Sequence, residues 1–319
     1  MINLGLWQGI LRMESKLFAA IDIGTNSTRY LVGTRDSQNN ENFIDYGGKT
    51  TRIGKGLRRG HPLNEQSAEQ TVNYLKQIHI RLMELNIDHL SIVATNALRE
   101  CSNPENFLAQ VEEIFNVAPQ VISGSDEALF SYLGCSPLIN HFPCVIIDIG
   151  GGSTELIYKK TINSSISHFS LPIGCVRFFE EFFHHNPNKQ NQIQQMKTKT
   201  QSLVPNSLKE YLVHANQIIC TAGTATTLAS MHLECAQYDK NKVHGLELTK
   251  DITLSWVEKL SKISIADRKN IIGLEQSRSD IILPGLLILV QLLSMATQTE
   301  KIVISDQGLL YGILRQKWK

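Results

Sequence analysis

The chain has 319 residues, 42% hydrophobic and 19% charged, with a formal net charge of +1. These are globular values, and the length suits two domains that each bury a core. A near-neutral balance gives no whole-molecule attraction to nucleic acid or to a membrane surface, so any preference for anions must come from local arrangement. The six cysteines, Cys101, Cys135, Cys144, Cys175, Cys220 and Cys235, form no CxxC pair. They read as reduced core thiols of a cytoplasmic protein rather than a disulfide frame or zinc site.

Residues 1–15 read as an N-terminal extension. Its apolar residues have no positive stretch before them, so it does not match a targeting segment, and Met13 offers a second start. Leu17–Ile23, Arg29–Thr34 and Phe43–Tyr46 are expected as three strands. Between the first two lies the octet Ile21–Thr28, IDIGTNST. Gly47–Gly60 is a glycine-rich loop with Lys49, Arg52, Lys55, Arg58 and Arg59; it lacks the Walker spacing. It either faces phosphate or is a solvated basic turn. Asn64 should cap a helix reaching about Leu85. Leu90–Ala94 is a strand, followed by Thr95-Asn96-Ala97-Leu98-Arg99. An arginine just past a strand end can fork onto phosphate oxygens. Gln120–Ile122 is a further strand, and Ser123-Gly124-Ser125-Asp126-Glu127-Ala128 is its junction to a helix. Ser125 or Asp126 could cap that helix, with Leu129 and Phe130 on its inner face.

Val145–Tyr158 reads VIIDIGGGSTELIY: strand, tight turn, strand. A carboxylate, Asp148, closes the first strand. The three glycines that follow let backbone N–H groups approach an anion closely. An anion facing a carboxylate calls for a cation between them, which suggests phosphate with a divalent metal; an ordinary glycine-rich hairpin is the other reading. The octet Ile147–Thr154, IDIGGGST, matches Ile21–Thr28 at six of eight positions, each after an apolar strand. Two copies of one phosphate-binding hairpin, one per half of the chain, are therefore expected.

Ser164–Leu171 continues the sheet, and Pro172-Ile173-Gly174-Cys175-Val176-Arg177 turns into a helix. His184-His185 follows with no partner at metal-ligand spacing. Lys189–His214 reads as one long polar helix. Gln217–Cys220 is a buried strand running into Thr221-Ala222-Gly223-Thr224-Ala225-Thr226-Thr227, a third anion-type junction. Gly245–Lys250 leads to a helix over Asp251–Leu260. Arg278-Ser279-Asp280 opens the apolar stretch Ile281–Ala296, short for a membrane span and interrupted by Pro284 and Gln291, hence a core helix. Lys301–Ser305 is the last strand, and a terminal helix runs to Trp318. No GxGxxG follows a strand, and no GxSxG, HExxH or kinase HRD motif occurs. The order predicts an α/β fold of two ribonuclease-H-like domains, the actin-like ATPase superfamily architecture used twice.

The chain resembles the exopolyphosphatase and guanosine pentaphosphate phosphohydrolase (Ppx/GppA) family, in its short two-domain form. The matching segments run in the family's order: AAIDIGTNST, RIGKGL, VATNALRE with Asn103, ISGSDEA, VIIDIGGGSTELI, PIGCVR, CTAGTATTLA, RSDIILPG and ISDQGLLYGIL. The family's acidic pair after Ser-Gly is Glu-Glu; here it is Asp126-Glu127, with the second acid kept. The resemblance implies Glu127 as general base, Asp148, Glu155 and Asp22 as Mg²⁺ ligands, and Thr25, Asn26, Ser27, Arg99, Gly151, Gly152, Ser153 and Thr154 as phosphate-binding. It implies an exopolyphosphatase acting on linear polyphosphate; the alternatives are a guanosine pentaphosphate phosphohydrolase and a non-catalytic sensor. The expected domains are 16–138 joined by 306–319, and 139–305, with an interdomain cleft between the octets. No nucleic-acid or membrane partner is expected, and a homodimer is possible.

Overall fold

The computed structural model describes residues 16–183 and 190–318. The expected N-terminal extension and the His184-His185 pair fall outside them. The chain divides into two compact units: one runs to Ile122 and takes in the chain from Ile313, and the other is Ser123–Gly312.

In the first unit β1 (Phe18–Ile23), β2 (Thr28–Arg35) and β3 (Glu41–Lys49) form an antiparallel meander. Beside β1, β4 (His89–Ala94) and β5 (Gln120–Val121) run parallel, giving the order β3-β2-β1-β4-β5. Parallel neighbours need long crossovers. The helices Glu65–Leu85 and Pro104–Phe115 supply them. The Asn64 side chain accepts from Ser67 N–H as expected, and the buried stripe Thr71, Leu75, Ile78 and Leu82 packs that helix on the sheet. At the chain's end, Arg315 makes a two-pronged ion pair with Glu41, its Nε and Nη2 at 2.8 and 2.7 Å, and the Trp318 ring meets Phe18 and Phe43.

The second unit repeats the plan. β6 (Cys144–Ile149), β7 (Thr154–Lys159) and β8 (Ile166–Leu171) are antiparallel, and β9 (Gln217–Thr221) and β11 (Lys301–Ile304) run parallel beside β6. A short strand, β10 (Glu247–Thr249), adds antiparallel to β11 at the edge. Sequence alone gives no sign of it, because three residues carry too little alternation to signal a strand. Without β10 the strand order is that of the first unit. The apolar helix Ile282–Leu293 is buried on nearly every side, which explains why it lacks a polar face.

Several local expectations change. The polar helix breaks into Gln190–Leu203 and Asn206–Val213 at Pro205, whose ring cannot continue a helix. Helix Gly124–Cys135, expected in the first domain, belongs to the second unit, where it packs on β6, β7 and β8. Its inner face is Ala128, Ser131, Gly134 and Cys135, not Leu129 and Phe130. Small residues are required there because the backbone of Gly308 lies where a Gly134 Cβ would stand. All six cysteines are free, and burial pushes the Cys144 thiol up to about 12. No helix among the described residues is long and apolar enough to cross a membrane.

Candidate active site

The two octets fold alike. Gly24 N–H donates to Ser27 O at 3.0 Å, and Gly150 N–H to Ser153 O at 3.0 Å. In each unit an Ile-Gly segment after the third strand then grips the turn from behind. Arg52 and Gly54 N–H donate to the carbonyls of Asn26 and Thr25; Cys175 and Val176 N–H donate to those of Gly150 and Gly151. Contact is so close that a Cβ on Gly54 would lie 2.3 Å from Thr25 Cγ2, and one on Gly174 2.4 Å from Gly151 O. Arg177 Nε adds a bond to Gly152 O at 2.9 Å. With the carbonyls held, the N–H groups of Thr25, Asn26, Gly151 and Gly152 meet no protein acceptor in the bonds found among the described residues. Such turns are ready to receive an anion.

The side chains sort differently. Asn26 is buried, and neither its Oδ1 nor its Nδ2 has a hydrogen-bond partner among the described residues. A buried amide in that state is suited to a ligand. Thr154, expected in the phosphate cradle, is fully buried and spends its hydroxyl on Ile173 O at 2.7 Å, fastening the turn instead. Thr28, its counterpart, meets the Thr51 hydroxyl at 3.0 Å. Arg99 is half-buried with Nη1 on Ile122 O at 2.8 Å. At the third junction, the position of a Gly223 Cβ falls within 2.7 Å of the Arg278 guanidinium, so an arginine already lies against that helix start.

The turn between β6 and β7 also fixes an acid against an acid. Asp148 and Glu155 are directly opposite in the antiparallel ladder, so their side chains share one face. Asp148 Oδ2 accepts from Ser131 Oγ at 2.6 Å, and Glu155 Oε1 accepts from Ser170 Oγ at 2.9 Å. Glu155 is 1% exposed. Burial raises its carboxyl pKa well above the usual range; the negative charges of Glu127 and then Asp148 push the same way, and the Ser153 and Ser170 hydroxyls oppose them. In the first unit the matching ladder pair is Asp22 with Arg29, an acid opposite a base. The duplicated hairpin has therefore diverged, and acids concentrate in the second unit.

Glu127 is half-buried in the first turn of Gly124–Cys135. The cap of that helix is Ser123, not Ser125 or Asp126. Ser123 Oγ accepts from Asp126 N–H, and the Asp126 carboxylate returns a bond to Ser123 N–H, a capping box. Asp126 is thus occupied in holding the helix, while Glu127, one residue on in the same turn, is near enough for its charge to act on Glu155. Sequence reasoning missed Ser131 and Ser170. Strand alternation offered a signal for Ser170, which pairs with Glu155 in the ladder; Ser131 carried none.

Magnesium suits this donor set. Among the described residues no three His, Cys, Asp or Glu side chains gather tightly enough to hold a metal by themselves. Mg²⁺ binds through one or two carboxylates, retained waters and substrate phosphates, and a cation beside Asp148 and Glu155 would relieve their repulsion.

Two α/β units of ribonuclease-H-like strand order, each carrying an anion-ready turn, define a protein of the actin-like ATPase superfamily. The chain belongs to the Ppx/GppA phosphatase family, whose sequence model matches residues 42–319. It is 27% identical to the Aquifex aeolicus Ppx/GppA family member, covering 95% of this chain and 98% of that one with a TM-score of 0.80. An exopolyphosphatase from Cytophaga hutchinsonii shares the fold at 22% identity and a TM-score of 0.86, over 95% of this chain and 97% of that one. The bifunctional 3-dehydroquinate synthase/phosphatase of Fusobacterium nucleatum is 30% identical over 317 residues. That match covers 93% of this chain, which spans only 46% of the relative's length.

Proposed function

We propose that the chain is a cytoplasmic exopolyphosphatase that releases terminal phosphate from linear inorganic polyphosphate. The observation that carries this reading is the buried pair Asp148 and Glu155 at the two ends of an amide-lined turn, with Glu127 near enough for its charge to act on Glu155. The Gly151 and Gly152 amides hold oxygens of the terminal phosphoryl group. Glu127 orients a water and takes its proton as the water oxygen attacks phosphorus; the bridging P–O bond breaks, and the shortened chain leaves with the bridging oxygen. Asp148 and Glu155 would hold Mg²⁺, which when bound neutralises charge on phosphate oxygens. In the first unit Thr25, Asn26, Ser27 and Arg99 bind phosphate, and Asp22 is a further candidate metal ligand.

Guanosine pentaphosphate presents the same terminal anhydride. The test is kcat/KM for long-chain polyphosphate and for guanosine pentaphosphate, side by side with Mg²⁺. Faster turnover of polyphosphate is expected. Preference for guanosine pentaphosphate would transfer the assignment to that substrate, and binding of either without phosphate release would make the protein a sensor.

A further inference from the structure

Strand β8 meets the start of the helix Gly124–Cys135 at two residues, Ser170 and His168. Residues of β7 and β8 alternate between the unit's main core and the helix Gly124–Cys135. Leu156 and Leu171 face the main core; Ile157 packs with Ala128 and Cys135 of the helix. In the β7–β8 ladder Ser170 stands opposite Glu155, and His168 opposite Ile157, so both point to the helix side. Ser170 Oγ donates to Glu155, and its Cβ lies 3.0 Å from where a Gly124 Cβ would stand. Two residues away on the same face, His168 Nε2 meets Ser125 Oγ at 2.8 Å. The first helical turn that carries Glu127 is therefore fastened at both ends of a short span: to Ser123 by its own capping box and to the edge strand by His168.

We infer that His168 is a positioning residue for the hydrolysis, holding the start of the Gly124–Cys135 helix, and with it the first turn that carries Glu127, at a fixed place against β8. The inference rests on the reading of Glu127 as the proton acceptor. The capping box alone ties the turn to its own chain, and sets no distance to the sheet. Ser170 presses against the turn at Gly124 without a bond to it. Ser125 to His168 is the cross-link between this turn and β8 among the hydrogen bonds of the described residues. A base displaced by a fraction of an ångström loses rate steeply while the groups that bind phosphate are untouched.

The test compares H168A, H168Q, S125A and the H168A/S125A double variant, with E127Q as reference, on whichever of polyphosphate or guanosine pentaphosphate the wild type turns over faster. H168A should lower kcat on the order of tenfold with KM inside about twofold, and H168Q, whose amide also reaches the hydroxyl, should stay within about threefold of wild type. S125A should match H168A, and the double variant should lose no more than either single one, because both remove one interaction. Amide exchange at Asp126 and Glu127, read by mass spectrometry, should accelerate in H168A whatever the substrate. Wild-type kcat and wild-type exchange in H168A would overturn the inference, as would equal losses in H168Q and H168A or additive losses in the double variant. If E127Q itself kept a near-wild-type kcat, the base assignment would fall, and with it this inference.

Discussion

Glu155→Gln separates what the buried acid costs from what it does. In the folded protein the Glu155 carboxyl titrates well above its usual value, from burial first and then from the charges of Glu127 and Asp148. In the unfolded chain it titrates near 4.3, as an ordinary glutamate does. Below that pH both states are protonated and the acid costs nothing. As pH rises toward the raised folded value, the unfolded state releases a proton that the folded state retains, so stability falls. Above it the folded protein carries a buried anion, a charge whose removal from water costs several kcal/mol. Glutamine removes that charge but weakens the bonds from Ser153 and Ser170, each worth about 1.5–3 kcal/mol to a charged partner. The net expectation is a gain of about 1–3 kcal/mol at pH 8 that vanishes near pH 4. For a unit of this size that is a rise of a few degrees in melting temperature. Thermal melts of both proteins from pH 4 to 8, with and without Mg²⁺, provide the measurement. Mg²⁺ should stabilise the wild type more than the variant through binding to the folded state. Turnover should be lost in the same variant that melts higher. A variant that melts below the wild type at pH 8, or by a margin independent of pH, would refute the argument that Glu155 is held under electrostatic strain.

Four further substitutions test the same geometry. Glu127→Gln should keep substrate affinity and lower kcat by about 10²–10⁴-fold, the usual cost of a missing general base. Asp126→Asn should cost no more than about 1 kcal/mol of stability and little rate, because that residue serves the capping box; initial-rate assays and melts on both variants check the contrast. Asp148→Asn should abolish Mg²⁺-dependent phosphate release while circular dichroism stays native, since an amide oxygen can still accept from Ser131; near-normal activity at limiting Mg²⁺ would remove Asp148 from the metal site. Gly174→Ala should destabilise the second unit by about 1–3 kcal/mol through overpacking against Gly151 and raise KM as the turn shifts, measured by denaturant unfolding and saturation kinetics.

What the chain itself disclosed was local. An apolar run ending in Asp, a turn rich in glycine and hydroxyl residues, and renewed alternation specify a hairpin whose closing bond is made within four residues, so both octets were legible without any partner. The hairpin's short turn also sets the ladder register, which places Asp148 opposite Glu155 and Asp22 opposite Arg29. Other features depended on residues distant in sequence. The cap of Gly124–Cys135 was misread by two or three positions because Ser123, Ser125 and Asp126 are all good capping residues, and backbone geometry chooses among them. The inner face of that helix was misread because its close approach to Gly308 demands small side chains where hydrophobicity alone favoured Leu129 and Phe130. Tertiary packing also decided the electrostatics. Glu155 becomes a strained acid only when Glu127, brought in on a helix that precedes the hairpin, lies beside it, and only when β8 covers it with Ser170. Hairpin register is a property of a dozen consecutive residues; burial and like-charge proximity arise only where separate segments pack, and no single segment encodes them.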